Sequence, residues 1–180
     1  MKYPHLINSD YFELLLSAGW FIERDVTLKE LPSHLEEMPK QIKNFLRELW
    51  FVSFSKKFYY IDDIEDYHFG TIVYNFGETT TKLEDYSIKN EYTNIYTNLV
   101  NCKLRNFGFK DCRELLIDEC GRLYTIPDSG DLYVFKGRFY EALYNLIFNH
   151  DEAFLVGEHL ELFNKVGGLL QKAELHLTDI

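Results

Sequence analysis

Cysteine is scarce in this chain: Cys102, Cys112 and Cys120 are the whole complement. Their spacing does not bring ligands in close pairs, as zinc sites do. An odd count, with no apolar signal core behind Met1-Lys2-Tyr3-Pro4-His5, reads as reduced thiols in a cytoplasm. Long apolar runs are missing too, since none approaches the roughly 18 residues that a membrane-spanning helix requires. Positive charge is in short supply, with 19 basic residues against 29 acidic ones and a net charge of −10. That balance weighs against direct binding to nucleic acid or to an anionic membrane, and it admits a basic protein partner.

Short chemical signatures are also lacking. There is no nucleophile elbow, phosphate loop or dinucleotide fingerprint. The six histidines (His5, His34, His68, His150, His159 and His176) include no pair at the i, i+3 or i+4 spacing that converges on a metal. Cys120 stands beside Asp118 and Glu119, and nearby carboxylates raise a thiol pKa, so it reads as a turn residue and not as a nucleophile. No base, nucleophile and anion site stand together. The expectation is a protein that is not an enzyme and uses neither cofactor nor metal.

What is present is apolar and aromatic. Hydrophobic residues make up 46% of the 180, and Phe and Tyr together number 28, enough for one packed domain with a largely aromatic core. Asp10 and Glu13 have capping-box spacing ahead of Phe12, Leu15 and Leu16, and Gly19 follows where a left-handed cap prefers glycine. Trp20 to Leu28 alternates loosely and reads as a short extended segment. Pro39 suits the first turn of a second helix, whose stripe is Ile42, Phe45, Leu46 and Leu49. Residues 51–61 read as strand interrupted at Ser55, Lys56 and Lys57, and residues 69–76 as a second strand ended by Gly77.

Ile88, Tyr92, Ile95, Tyr96 and Leu99 mark a third helix that Asn101 ends. A hairpin follows, with Leu115 and Ile117 before Gly121 and Leu123 and Tyr124 after it. The run 132–135 reads as strand after a turn at Asp128, Ser129 and Gly130. The last helix has two apolar stripes: Phe139, Ala142, Leu143, Leu146 and Ile147, and also Tyr140, Tyr144 and Phe148. A surface helix needs one, so the tail from Asp151 to Ile180 is expected to cover the second. The tail itself allows a helix through Leu160, Phe163 and Leu170, weakened by Gly167 and Gly168. Two leading helices, then strands, a helix, a hairpin and a closing helix predict an α+β fold: a mostly antiparallel sheet with helices packed on one side.

Several short motifs fall in a telling order. Ala18-Gly19-Trp20 is followed by Arg24; Leu104-Arg105-Asn106-Phe107-Gly108 comes next, with Asn106 where a Leu-x-Pro-x-Gly turn has proline. Asp118, Gly121 and Tyr124 then give Asp-x-x-Gly-x-x-Tyr, and Phe135-Lys136-Gly137 precedes Glu141-Ala142-Leu143 and Leu146. In this order the chain resembles the SUKH superfamily, in its third group of bacterial immunity proteins. Leu49-Trp50-Phe51 replaces a glycine-rich turn usual there, and the tail beyond Asn149 has no counterpart. The resemblance implies a SUKH-like domain over residues 1–149 and a C-terminal extension over 150–180 packing on the last helix. It also implies a cytoplasmic protein of a polymorphic toxin system that binds and neutralises a cognate protein toxin, commonly a nuclease. A non-enzymatic regulatory scaffold or adaptor of the same fold is the alternative, and an enzyme with an unrecognised site is a third reading.

Charge distribution suggests where a basic partner would dock. Residues 1–60 are balanced, residues 61–91 carry −6 and residues 92–180 carry −4. The candidate partner-binding residues are Asp62, Asp63, Glu65 and Asp66, supported by Glu84 and Asp85, with Tyr67 or Phe69 as apolar anchors. The plainer reading of the same segment is a solvated acidic face.

Overall fold

The computed structural model describes residues 9–21, 35, 37–61, 67–77, 87–111, 113–148, 152–166 and 169–180. They form four α-helices and one nine-stranded sheet: α1 (Ser9–Ser17), α2 (Lys40–Leu49), β1 (Ser53–Ile61), β2 (Tyr67–Phe76), α3 (Ser87–Val100), β3 (Arg105–Lys110), β4 (Arg113–Ile117), β5 (Leu123–Thr125), β6 (Tyr133–Phe135), α4 (Tyr140–Phe148), β7 (Ala153–Val156), β8 (Glu161–Val166) and β9 (Leu169–His176), closed by a short 3-10 turn, Leu177–Asp179. Every strand pairs antiparallel with its neighbour in sequence. The α+β class with an antiparallel sheet is as the sequence predicts.

Local chemistry explains the helix ends. Gly19, at φ +85°, donates to the Leu16 carbonyl while Trp20 donates to Leu15, the paired bonds of a Schellman cap. Trp20 is thereby turned inward and is 1% exposed. Pro39 stands one residue before α2, extended at φ −53° and ψ 149°, with its carbonyl taking the first helical bond from Lys43. On α2, Ile42, Phe45, Leu46 and Leu49 are all buried, as their spacing requires.

The middle of the sheet is buried on both faces, and strand alternation sorts the residues. Leu115, Ile117, Leu123 and Phe135 join Phe54, Tyr74, Phe76 and Phe107 in a core shared with α1, α2 and α4. Leu116, Tyr124 and Val134 point the other way, into a second core with Val100, Leu104, Phe154, Val156, Leu162, Leu177 and Ile180. Three helices thus pack on one face, while the end of α3 reaches the opposite one.

Several expectations need correction. β1 runs unbroken through Ser55, Lys56 and Lys57, because nine register pairs with β2 hold its backbone whatever its side chains. The Leu104–Gly108 motif does not make a free turn: Arg105 opens β3, with an irregularity in register between Asn106 and Gly108. Gly108 is required there, since a Cβ would stand 2.3 Å from the Asn75 carbonyl oxygen. On α3 the buried side is the last turn, around Tyr96, Leu99 and Val100, while Tyr92 and Ile95 are exposed. The extended segment expected from Trp20 to Leu28 lies outside the described residues beyond Phe21.

The described part of the tail is strand and not α-helix. It supplies three strands that continue the sheet from β6, while Gly167 and Gly168 lie outside the described residues. The rings found against the stripe come from the chain's beginning. Tyr11 meets Tyr144 and Phe148 edge-on at 5.4 and 5.7 Å, and Trp20 and Phe45 meet Tyr140 at 5.9 and 5.0 Å. Helix α1 therefore uses its own aromatic residue to satisfy the two-sided helix.

Candidate functional site

β1 and β2 form the longest pairing in the molecule. β2 is bonded to β1 from Tyr67 to Asn75, but its ladder with β3 covers only Tyr74 to Phe76. Among the described residues, the sheet partner of β2 from Tyr67 to Ile72 is β1 alone, a two-stranded ribbon about 20 Å long at ~3.3 Å per residue. Such a ribbon is marginal by itself, so its root must be held. Asp111 does this on one side: its N–H donates to the Val73 carbonyl at 2.7 Å, and its carboxylate accepts the Val73 N–H at 2.8 Å. Lys56 does it on the other. Its ammonium donates to the Ile147 carbonyl at 2.6 Å and lies 4.3 Å from the centre of the Phe148 ring, at the C-terminal, negative end of α4. Burial lowers the Lys56 pKa.

Asp62, Asp63, Glu65 and Asp66 connect the paired ends of this ribbon in sequence, since Ile61 and Tyr67 are its last register pair. These four residues, and Glu84 and Asp85, lie outside the described residues. Sequence reading missed Lys56 and Asp111, because neither belongs to a motif; a basic residue inside an apolar strand was the available signal.

A second polar centre sits in the hairpin between β4 and β5. Asp118 is fully buried and accepts four hydrogen bonds. One oxygen takes the Cys120 and Arg122 N–H groups at 2.8 and 3.0 Å; the other takes Arg122 Nε at 2.6 Å and the Tyr124 hydroxyl at 2.9 Å. Arg122 also donates to the Leu177 carbonyl at 2.9 Å and to Cys102 Sγ at 3.6 Å. Burial and the Asp118 charge hold the Tyr124 pKa far above that of a free tyrosine. This arrangement knits the hairpin, α3's exit and the C-terminal turn together. The Asp-x-x-Gly-x-x-Tyr motif is thus a structural knot.

A third feature is an open cleft of about 370 Å³ between α2 and the start of α4, lined by Gln41, Asn44, Phe45, Glu48, Phe139 and Tyr140. Glu48 is buried and accepts the Tyr140 hydroxyl. Among the described residues the cleft joins a carboxylate to amides and aromatic rings, a set suited to holding a polar group.

Comparison with protein-family models, with curated proteins and with solved structures gave no match. Among the described residues no helix is long and apolar enough to cross a membrane.

Proposed function

We propose that this chain is an immunity-type binding protein that neutralises a basic protein toxin, and that the β1–β2 ribbon presents its acidic residues to that toxin. The observation that carries the reading is the unequal pairing of β2. Nine pairs with β1 against three with β3 leave a ribbon whose ends are joined by a segment with four acids. An enzyme that cuts nucleic acid carries a basic cleft to hold phosphates. A negative inhibitor surface speeds encounter with such a cleft and selects the partner. Exposed ion pairs contribute only about 0–1 kcal/mol each, so apolar contacts must supply most of the affinity. The SUKH-like order of motifs supports the same assignment.

Co-expression with a candidate toxin, taken from the genes that flank this chain's own, tests the proposal. The two proteins are expected to co-purify as a complex, and cells carrying the toxin are expected to grow only when this chain is present. Growth arrest despite soluble, folded protein, with no complex recovered, would overturn it.

A further inference from the structure

The knot around Asp118 also brings two thiols together. Cys102 follows Asn101, whose left-handed φ of +51° ends α3, and Cys120 lies in the β4–β5 hairpin loop. Cys102 Sγ, Cys120 Sγ and an Asp118 carboxylate oxygen all lie within 4.8 Å of one another. Neither cysteine is in a disulfide; Cys120 is exposed and Cys102 half-buried. Arg122 fixes one sulfur through its 3.6 Å bond to Cys102, and Asp118 fixes the other's backbone through its 2.8 Å bond to the Cys120 N–H.

Two chemistries suit such a group, a cation site or a dithiol. The cation is disfavoured because Asp118 already accepts four hydrogen bonds, and the Arg122 guanidinium stands where a metal's charge would be. The dithiol needs no displaced bond at Asp118. Its sulfurs must close from within 4.8 Å to about 2.05 Å, and the exposed Cys120 side chain is the one free to turn.

We propose that Cys102 and Cys120 form a redox modification site that a small-molecule disulfide converts to an intramolecular disulfide. Cys120, which its acidic neighbours mark as a turn residue, is nonetheless the exposed thiol of the pair, and as thiolate it attacks one sulfur of the small disulfide and expels its partner as a thiolate. Cys102 then attacks the Cys120 sulfur of the mixed disulfide and expels the second small thiolate. The protein sulfurs lose two electrons, the small disulfide gains them, and the two thiol protons end on the released small thiols. The bond would clamp the exit of α3 onto the hairpin that carries the Asp118 knot.

The test uses the full chain and glutathione disulfide, read by intact mass and by peptide mapping without reduction. The expected product is a monomer lighter by two hydrogens whose mapped cross-link joins Cys102 to Cys120. C102S is expected to stop at a glutathione adduct on Cys120, since the resolving thiol is gone. A wild-type chain that itself stops at the Cys120 adduct would overturn the proposal, as would a cross-link to Cys112. Protection of both thiols by added zinc ion at stoichiometric ratio, with no disulfide formed in its absence, would instead assign the group to a metal.

Discussion

Removing the charge of Asp118 tests whether the hairpin knot is a cooperative unit. The Asp118 side chain is 0% and the Arg122 side chain 7% exposed, so Asp118→Asn leaves a guanidinium in a dry site without its counter-ion. Breaking a buried pair from one side costs about 3–5 kcal/mol, a large share of the ~5–15 kcal/mol that holds an ordinary domain together. Arg122→Met should cost less, about 2–3 kcal/mol, because Asp118 keeps two backbone N–H donors and the Tyr124 hydroxyl. The double variant buries no orphaned charge, so its loss should fall short of the sum by about 2–3 kcal/mol. Equilibrium urea unfolding, followed by the fluorescence of the buried Trp20 and Trp50, measures all three. Single losses below about 1 kcal/mol, or additivity within ~0.5 kcal/mol, would refute the reasoning.

Further outcomes follow from other parts of the fold. Gly19→Ala meets no atom within 4 Å and should cost only the left-handed backbone term, about 1 kcal/mol, whereas Gly121→Ala, at φ +86°, drives a Cβ to 2.6 Å from the Phe139 ring and should cost at least twice as much in the same urea assay. Leu177→Ala, in the C-terminal turn, should cost about 2–4 kcal/mol because Leu177 is 1% exposed in the second core; a loss under ~1 kcal/mol would detach the extension from that core. Burial, aided by the Arg113 charge, pushes the Lys110 pKa down to about 8. The unfolded chain therefore holds more protons than the folded one from about pH 8 to ~10, and stability rises with pH across that window. Above about pH 10 it falls, since burial raises the pKa values of Tyr11, Tyr74 and Tyr124 and the unfolded chain deprotonates first. Lys110→Met should reduce the rise and stabilise the protein at pH 7 by about 1–2 kcal/mol, read from urea midpoints at pH 7 and 9.

The helices were legible because their signals are local. The α2 stripe and the Gly19 cap each require only a few neighbouring residues, and both appear where the pattern puts them. The β4–β5 hairpin was legible for the same reason, through Gly121 between two apolar runs. β3 and the strands of the tail were not. Asn106-Phe107-Gly108 looks like a turn until β2 is placed beside it, and Gly108 then proves to be the one residue that lets the Asn75 carbonyl approach. β7, β8 and β9 form because β6 offers them an edge, a fact of the whole sheet. The contact of Tyr11 with Tyr144 and Phe148 was hidden for a related reason. Tyr11, more than a hundred residues away in sequence, is their neighbour in space. Of the candidate site, the sequence displayed the acids; the ribbon behind them and its roots at Lys56 and Asp111 came only with the strand register.

The central claim is that the acidic end of the β1–β2 ribbon steers a basic toxin onto this protein. Its most direct test is the association rate with the co-purified toxin, measured by stopped flow from low to high salt. The wild-type chain is compared with a variant in which Asp62, Asp63, Glu65 and Asp66 are all changed to Lys, after its fold is checked by circular dichroism. Loss of electrostatic steering should lower the rate at low salt by about tenfold or more and flatten or invert its salt dependence. A folded variant with the same association rate and the same salt dependence as wild type would contradict the claim.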